Sequence, residues 1–250
     1  MSSRSKIREE GVIAIFNAHK RRYGARRIVK EMKHQGKEIG RDLVRKLMVN
    51  NGLKAIQPRS FVPKTTDSRH SYPISPNLLK ERGFPCGINE VWVGDITYIP
   101  MAGGTFRYLS VWMDLYSRRI VGWDLQDHMK EALVLVSLRK ALKVRGIRGN
   151  LLTHSDRGGQ YAGTKFRQLI DKFKLTQSMS DADNPYDNAF MESCFSRFKA
   201  ELLEGGAFQT AEDSYTEIFE YIEMYYNPMR LHSSIGYLSP NTFETRLNQN

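Results

Sequence analysis

Val91-Trp92-Val93-Gly94-Asp95-Ile96-Thr97-Tyr98-Ile99 is the stretch on which the fold turns. It is rich in β-branched and aromatic residues, which fit a pleated and buried surface, so it predicts a strand. One carboxylate stands in its middle. Burying Asp95 alone would be costly, so the residue calls for a partner, a proton or a metal ion. Downstream, Ala102-Gly103-Gly104 signals a turn and residues 106–115 read as a second strand. Residues 119–125 make a third, after a break at Ser117 and Arg118. Sequential strands with tight connections imply an antiparallel meander.

Residues 130–143 are apolar nearly all round, and their length with Glu131, Ala132 and Leu133 favours a buried helix. A short strand is expected at 151–155, then a helix at 164–173 with Phe166, Leu169, Ile170 and Phe173 inward. Residues 175–180 predict another strand and 187–203 another helix. On that last helix Phe190, Cys194 and Phe198 are expected on one side and Glu192, Ser196 and Lys199 on another. The order β-β-β-α-β-α-β-α defines the α/β class, a mixed five-stranded sheet with flanking helices, as in RNase H-like domains. Thr210-Ala211-Glu212-Asp213 is a helix N-cap signal, and Tyr215, Ile218, Phe219, Ile222 and Tyr225 follow at helical spacing until Asn227-Pro228.

Charge divides the chain unevenly. The whole sequence carries 38 Lys and Arg against 27 Asp and Glu, a net of +11. Residues 1–64 hold 17 basic and 5 acidic side chains, and the remainder is nearly neutral. Such a basic arm suits a polyanion, because Lys and Arg on phosphates release condensed counterions; a merely solvated helical surface is the plainer alternative. Ala25, Ile28, Val29 and Met32, then Leu43, Val44, Leu47 and Met48, recur at helical spacing, with Gly24, Gly36, Gly40 and Gly52 at the ends. Short basic helices with small loops read either as a helix-turn-helix-like DNA-binding arm or as a generic three-helix bundle. The candidates for DNA contact there are Arg26, Arg27, Arg41, Arg45 and Lys46.

The expected organisation is therefore an arm at 1–54, a Pro-rich linker at 55–87, a catalytic core at 88–205 and a helical extension at 206–250. Some order is foreseen in the linker around Asn77-Leu78-Leu79. No run of 18 apolar residues is present, so a membrane is not an expected partner. Cys86 and Cys194 have no zinc-ligand spacing, and a reducing cytoplasm is the expected setting.

Two further acids join Asp95. Asp156 follows an apolar strand and precedes Arg157-Gly158-Gly159, and Glu192 lies on the 187–203 helix. Each has a bland reading: a backbone bond for Asp95, a turn for Asp156, a surface charge for Glu192. In the inferred topology the first and fourth strands are neighbours, which brings Asp95 and Asp156 close and carries Glu192 over the same edge. Three carboxylates suit hard cations, and two Mg²⁺ ions (Mn²⁺ as substitute) are the expected cofactors.

Three blocks carry a family resemblance. Trp92-Val93-Gly94-Asp95-Ile96-Thr97-Tyr98, His154-Ser155-Asp156-Arg157-Gly158-Gly159-Gln160-Tyr161 and Asp187-Asn188-Ala189-Phe190-Met191-Glu192-Ser193 resemble the motifs of a DDE integrase core. Thirty-five residues separate Asp156 from Glu192, the retroviral-integrase-like spacing. Tyr225-Tyr226-Asn227-Pro228-Met229-Arg230-Leu231-His232 with Ser233-Ser234-Ile235-Gly236-Tyr237 and Ser239-Pro240 resemble the C-terminal signature of OrfB-type insertion-sequence transposases. Tyr23-Gly24-Ala25-Arg26-Arg27-Ile28 resembles their helix-turn-helix. Cys194 departs from the family's usual aromatic or leucine, and no His/Cys zinc module precedes the core.

The resemblance implies catalytic and metal-binding roles for Asp95, Asp156 and Glu192, and a DNA contact for Lys199. It implies metal-dependent hydrolysis and strand transfer at the ends of an insertion sequence. Double-stranded DNA, further copies of the chain and an upstream-frame (OrfA-type) product are the implied partners. Supporting roles fall to His154 (loop orienter, phosphate neighbour or plain buried histidine), to Gly158 and Gly159 (close backbone approach or unusual dihedrals) and to Asn188 with Asn184 and Tyr186 in a flap. Arg157 reads equally as a DNA contact or an ordinary loop arginine, and Arg230 and His232 are weaker DNA candidates. A non-catalytic DNA-binding regulator and a plain ribonuclease H are the rival functions.

Overall fold

The computed structural model describes residues 3–57, 70–181, 189–204 and 206–249. It separates into two compact units, Met1–Arg59 and Ser60–Asn250. The first unit contains α1 (Ser3–Ala18), α2 (Ala25–His34) and α3 (Arg41–Asn50). Val12, Ile15, Phe16, Tyr23, Ile28, Met32, Val44 and Met48 form its core. Gly24 and Gly40 occupy the N-cap positions of α2 and α3, as their sequence positions implied. Leu43 is 38% exposed, because the buried stripe of α3 runs through Val44 and Met48. Asn51 donates to Glu9 at 2.7 Å, pinning the end of α3 to α1.

The second unit is built on a mixed five-stranded sheet of order β3-β2-β1-β4-β5. Its strands are β1 (Val91–Pro100), β2 (Phe106–Asp114), β3 (Ile120–Gln126), β4 (Leu152–Ser155) and β5 (Thr176–Met179). β1 to β3 form the expected antiparallel meander, while β4 pairs parallel with both β1 and β5. A parallel neighbour needs a long crossover, and β2, β3 and α5 (Glu131–Arg145) supply it. α6 (Gly159–Ala162) and α7 (Thr164–Lys172) complete that layer. Its core joins Trp92 and Trp112 to Val134, Leu138, Tyr161 and Phe166. A side chain at Gly94 would place its Cβ 2.6 Å from the Trp112 ring, so the indole lies directly on the strand backbone beside Asp95.

The opposite face, which carries Val93 and Asp95, receives α8 (Ala189–Leu203), and α8 packs on β1. The buried stripe of α8 is Met191, Phe195 and Phe198, so Phe190 and Cys194 flank the contact and do not line it. The expected C-terminal helical extension falls in the same compact unit as the sheet. α9 (Ala211–Phe219) begins at a capping box between Thr210 and Asp213. A π-helical turn, Glu220–Tyr226, follows. The wider turn shifts the inward face to Tyr221, Ile222, Tyr225 and Tyr226, which leaves Tyr215 and Phe219 more than 40% exposed. Asn227 then bridges both backbone groups of Ile120 on β3.

Within the Pro-rich segment, order is found where it was expected, around Asn77-Leu78-Leu79. The segment contains α4 (Leu78–Arg82), and Leu78 and Leu79 donate to the Ser178 hydroxyl while Met179 donates to the Pro76 carbonyl. The segment runs as a strap along β5, covering an edge that would otherwise offer unpaired backbone groups.

The last helix, α10 (Pro240–Leu247), starts at Ser239 with proline in its first turn. Its Glu244 accepts from Ser117 at 2.7 Å, from Arg119 at 2.7 Å and from Arg145 at 2.7 and 3.0 Å. Burial alone would raise the pKa of Glu244, but the bonds from Arg145, Ser117 and Arg119 outweigh it and hold the carboxyl below its ordinary value. A folded-state value below the unfolded one contributes stability at neutral pH that is lost as pH falls through the folded value. Glu244→Gln is therefore expected to lower the midpoint of urea unfolding at pH 7, and the gap from wild type should narrow on acidification. Equal gaps at pH 7 and at pH 3 would contradict this assignment.

Candidate active site

β1 and β4 pair as Val91 with Leu152, Trp92 with Thr153 and Val93 with His154. The same offset continued two residues sets Asp156, just past the end of β4, abreast of Asp95. Side chains of facing residues in adjacent strands point to one face, so the two carboxylates share a side of the sheet. Both are half-buried. Asp95 Oδ1 accepts from the Ile96 amide at 2.7 Å, and Asp156 Oδ1 accepts from the Gly158 amide at 3.0 Å, closing an Asx turn. The Tyr161 hydroxyl is pushed far above its ordinary range, first by burial and then by the charges of Asp95 and Asp156. One buried ring thus feels both acids.

Lys199 reaches this neighbourhood from α8. Burial lowers its pKa while Asp95 pulls it up, which sets the ammonium within electrostatic reach of that carboxylate. Glu192 is exposed in the first turn of α8. Lys199 lies seven positions further on, so both lie on one stripe of the helix, roughly 10 Å apart along its axis. Among the described residues no three His, Cys, Asp or Glu side chains come close enough to hold a metal ion. The register sets Asp95 and Asp156 abreast, Lys199 feels the Asp95 charge, and the three acids do not form a metal-binding group among the described residues. Asn184, Tyr186 and Asn188 lie outside the described residues.

Two carboxylates abreast on one face, offering oxygen alone, fit a hard divalent cation. Such an ion would offset the repulsion between like charges held side by side.

The supporting residues divide. His154 is fully buried and its Nδ1 shares a hydrogen bond of 2.9 Å with the Ser178 hydroxyl, so it braces β4 against β5 and is closed to a phosphate. Arg157 donates to the Ser180 carbonyl at 2.7 Å and pairs with Asp181 at 3.5 Å, which ties the Asp156 loop to the end of β5. His70 adds a 2.8 Å bond to the Arg157 carbonyl. Neither Gly158 nor Gly159 adopts a positive φ; Gly158 is the N-cap of α6. In the first unit Arg26, Arg41, Arg45 and Lys46 are exposed, whereas Arg27 is half-buried over the Tyr23 ring at 5.5 Å.

Arg230 is no DNA contact. It is 2% exposed and grips Glu201 of α8 through two bonds of 2.6 and 2.8 Å, with the Tyr221 hydroxyl donating to the same carboxylate. Sequence reasoning passed over Glu201. Its signal was present: an acid three residues beyond Phe198, on the buried side of α8, demands a cation. His70 carried no comparable signal, since one histidine in a Pro-rich stretch announces no contact.

A meander joined to parallel strands, with one acid on β1 and another just past β4, has the arrangement expected of an integrase-type core. Family models described as Integrase core domain match residues 87–185 and 192–247, and one described as HTH-like domain matches residues 3–61. The transposase for insertion sequence element IS904 of Lactococcus lactis subsp. lactis (strain IL1403) is 38% identical over 239 residues, covering 96% of this chain and 94% of that protein. Transposase InsF for insertion sequence IS3A of Escherichia coli (strain K12) is 36% identical over 249 residues, covering 98% of this chain and 86% of that protein. The chain belongs to the family of OrfB-type, IS3-like insertion-sequence transposases.

Removing one member of the buried Glu201–Arg230 pair leaves an uncompensated charge, a cost of about 3–5 kcal/mol. Glu201→Ala should lower unfolding stability by that order in a denaturant titration. The double change Glu201→Met with Arg230→Met should recover most of it. A double variant as weak as the single one would show that the loss is not a buried-charge penalty.

Proposed function

We propose that this chain cuts and joins DNA at the ends of an insertion sequence, with Asp95, Asp156 and Glu192 as its catalytic acids. The observation that carries the reading is the β1–β4 register, which sets Asp95 and Asp156 abreast on one face. These acids would hold Mg²⁺, with Mn²⁺ as a substitute and two ions in the full site. Bound there, the ions supply activation of the attacking oxygen and stabilisation of the leaving oxygen of a phosphodiester.

The chain's own part is positional. Asp95 and Asp156 are held by their backbone bonds at a rigid sheet edge, and α8 carries Glu192 and Lys199 on one stripe above it. Lys199, beside Asp95, is placed to grip a phosphate oxygen of the DNA. Water attacks the bond at the element's end and frees a 3′-hydroxyl. That hydroxyl then attacks a second phosphodiester in line, so no covalent bond between protein and DNA is made.

Residues 1–54 serve as the DNA-binding arm, with Arg26, Arg41, Arg45 and Lys46 on exposed helical surface. Residues 55–87 connect that arm to the catalytic core. Further copies of the chain on DNA and an upstream-frame product complete the working assembly, which acts on DNA in the cytoplasm. A second reading, a DNA-binding regulator that keeps the fold without the chemistry, draws on one fact: among the described residues no three His, Cys, Asp or Glu side chains are grouped to hold a metal ion.

Nicking of an element-end duplex in Mg²⁺ separates the two. Asp95→Asn, Asp156→Asn and Glu192→Gln should each reduce it about a thousandfold, since several kcal/mol of transition-state stabilisation is lost. Equal products from wild type and Asp95→Asn would remove the site assignment and favour the regulator. Deleting residues 1–54 should abolish end-specific binding in a mobility-shift assay. The binding it removes should have weakened steeply with added salt.

A further inference from the structure

Arg118 sits in the tight connection between β2 and β3 with a φ of 63°, and its amide donates to the Asp114 carbonyl at 2.9 Å. A non-glycine residue in that conformation is strained, so the turn holds it for a reason. Its guanidinium lies 4.7 Å from the centre of the Phe190 ring and 5.4 Å from that of Phe84. The two rings are themselves 6.2 Å apart. Arg118 therefore joins three distant segments: the end of the strap before β1, the β2–β3 turn and the first turn of α8. The Nε atom is buried and has no hydrogen-bond partner among the described residues. Ring faces, and not hydrogen bonds to that nitrogen, place the side chain, and a planar guanidinium stacks where an ammonium does not.

Phe190 is two residues before Glu192. We propose that Arg118, through Phe190, fixes where α8 begins and so where Glu192 stands relative to Asp95 and Asp156; Arg118 is a positioning residue for the reaction. This rests on the reading of Glu192 as a catalytic acid. Glu201 and Arg230 hold the far end of α8 and buried Met191 anchors its first turn, to which the Arg118–Phe190 contact adds a second hold two residues from Glu192. Phe84 is 54% exposed, so its side chain owes little to the core and serves as the second jaw on Arg118.

The test uses the full chain with Mg²⁺ and a duplex of the element's own end, comparing wild type with Arg118→Lys, Arg118→Ala, Phe84→Leu and Glu192→Gln. Displacing a reacting group by about 1 Å costs on the order of a hundredfold, so Arg118→Ala and Arg118→Lys should each lower kcat by about that factor. KM for the duplex should stay within about twofold. Direct Mn²⁺ binding, read by electron paramagnetic resonance without DNA, should weaken about tenfold in the same variants. Phe84→Leu should give a smaller loss of kcat in the same direction. Wild-type kcat in Arg118→Lys would overturn the proposal, because charge alone would then suffice. A raised KM at unchanged kcat would overturn it too, marking a DNA contact. If Arg118→Ala loses its cooperative thermal transition, the lysine and Phe84 variants decide. An inactive Glu192→Gln beside a fully active Arg118→Lys sinks this inference alone, whereas an active Glu192→Gln sinks the reading of the acid beneath it.

Discussion

Parallel pairing of β1 with β4 is the constraint on which the site depends. Two acids 61 positions apart are neighbours only because Val91, Trp92 and Val93 meet Leu152, Thr153 and His154. Side chains alternate faces along a strand, so a slip of one residue would send Asp156 to the Trp112 side and leave Asp95 facing α8 alone. The fold defends this register from both faces. On one, Trp112 lies over Gly94 and stacks with Phe166 at 6.2 Å, and any side chain at position 94 would collide with it. Beyond β4, His154 bonds to Ser178 of β5, and the strap from Pro76 to Leu79 closes on the same strand.

The C-terminal segment answers a different need. α8 meets the sheet mainly through Met191, Phe195 and Phe198, a narrow apolar stripe that specifies its axial position weakly. Glu201 and Arg230 specify it strongly, because a buried ion pair tolerates little displacement before both charges are stranded. The π-helical turn matters here. Its wider turn brings Tyr221 inward to donate to Glu201 and sets Tyr226 under Arg230 at 5.7 Å. Glu244 repeats the device on α10, drawing Arg119 and Arg145 onto one carboxylate. Residues that resemble a family signature in sequence thus act as internal braces in space.

Most of the core was legible from pattern. The β-branched and aromatic run of Val91 to Ile99, the turn at Ala102–Gly104 and the buried helix after Lys130 each pointed to the element that formed. What stayed hidden was phase and pairing. Phe190, Cys194 and Phe198 share one side of α8 by spacing, but the stripe that buries runs through Met191, Phe195 and Phe198, since helical spacing gives a period and not a starting angle. The exposure of Tyr215 and Phe219 has the same origin, with a π turn resetting the phase midway. The strap was hidden because its bonds are to β5, a hundred residues away, and proline-rich composition says only that no long helix forms there. Of the site, Asp95 and Asp156 followed from topology, whereas the neighbours that hold their loop, His70 and Ser180, have no local signature.

The place of Glu192 follows from electrostatics. At the first turn of α8 its charge meets the positive end of the helix macrodipole, a favourable setting it occupies without help from the sheet. Moving it beside Asp95 and Asp156 would set three like charges together in a partly desolvated cleft, a cost no helix dipole offsets. Lys199, two turns further along the stripe, lies within electrostatic reach of Asp95 and would offset part of that cost. Convergence of the proposed acids would require added positive charge between them. Its reach is set by how firmly the two ends of α8 are held, and a helix braced at Glu201 can bring its first turn closer only by pivoting about that brace.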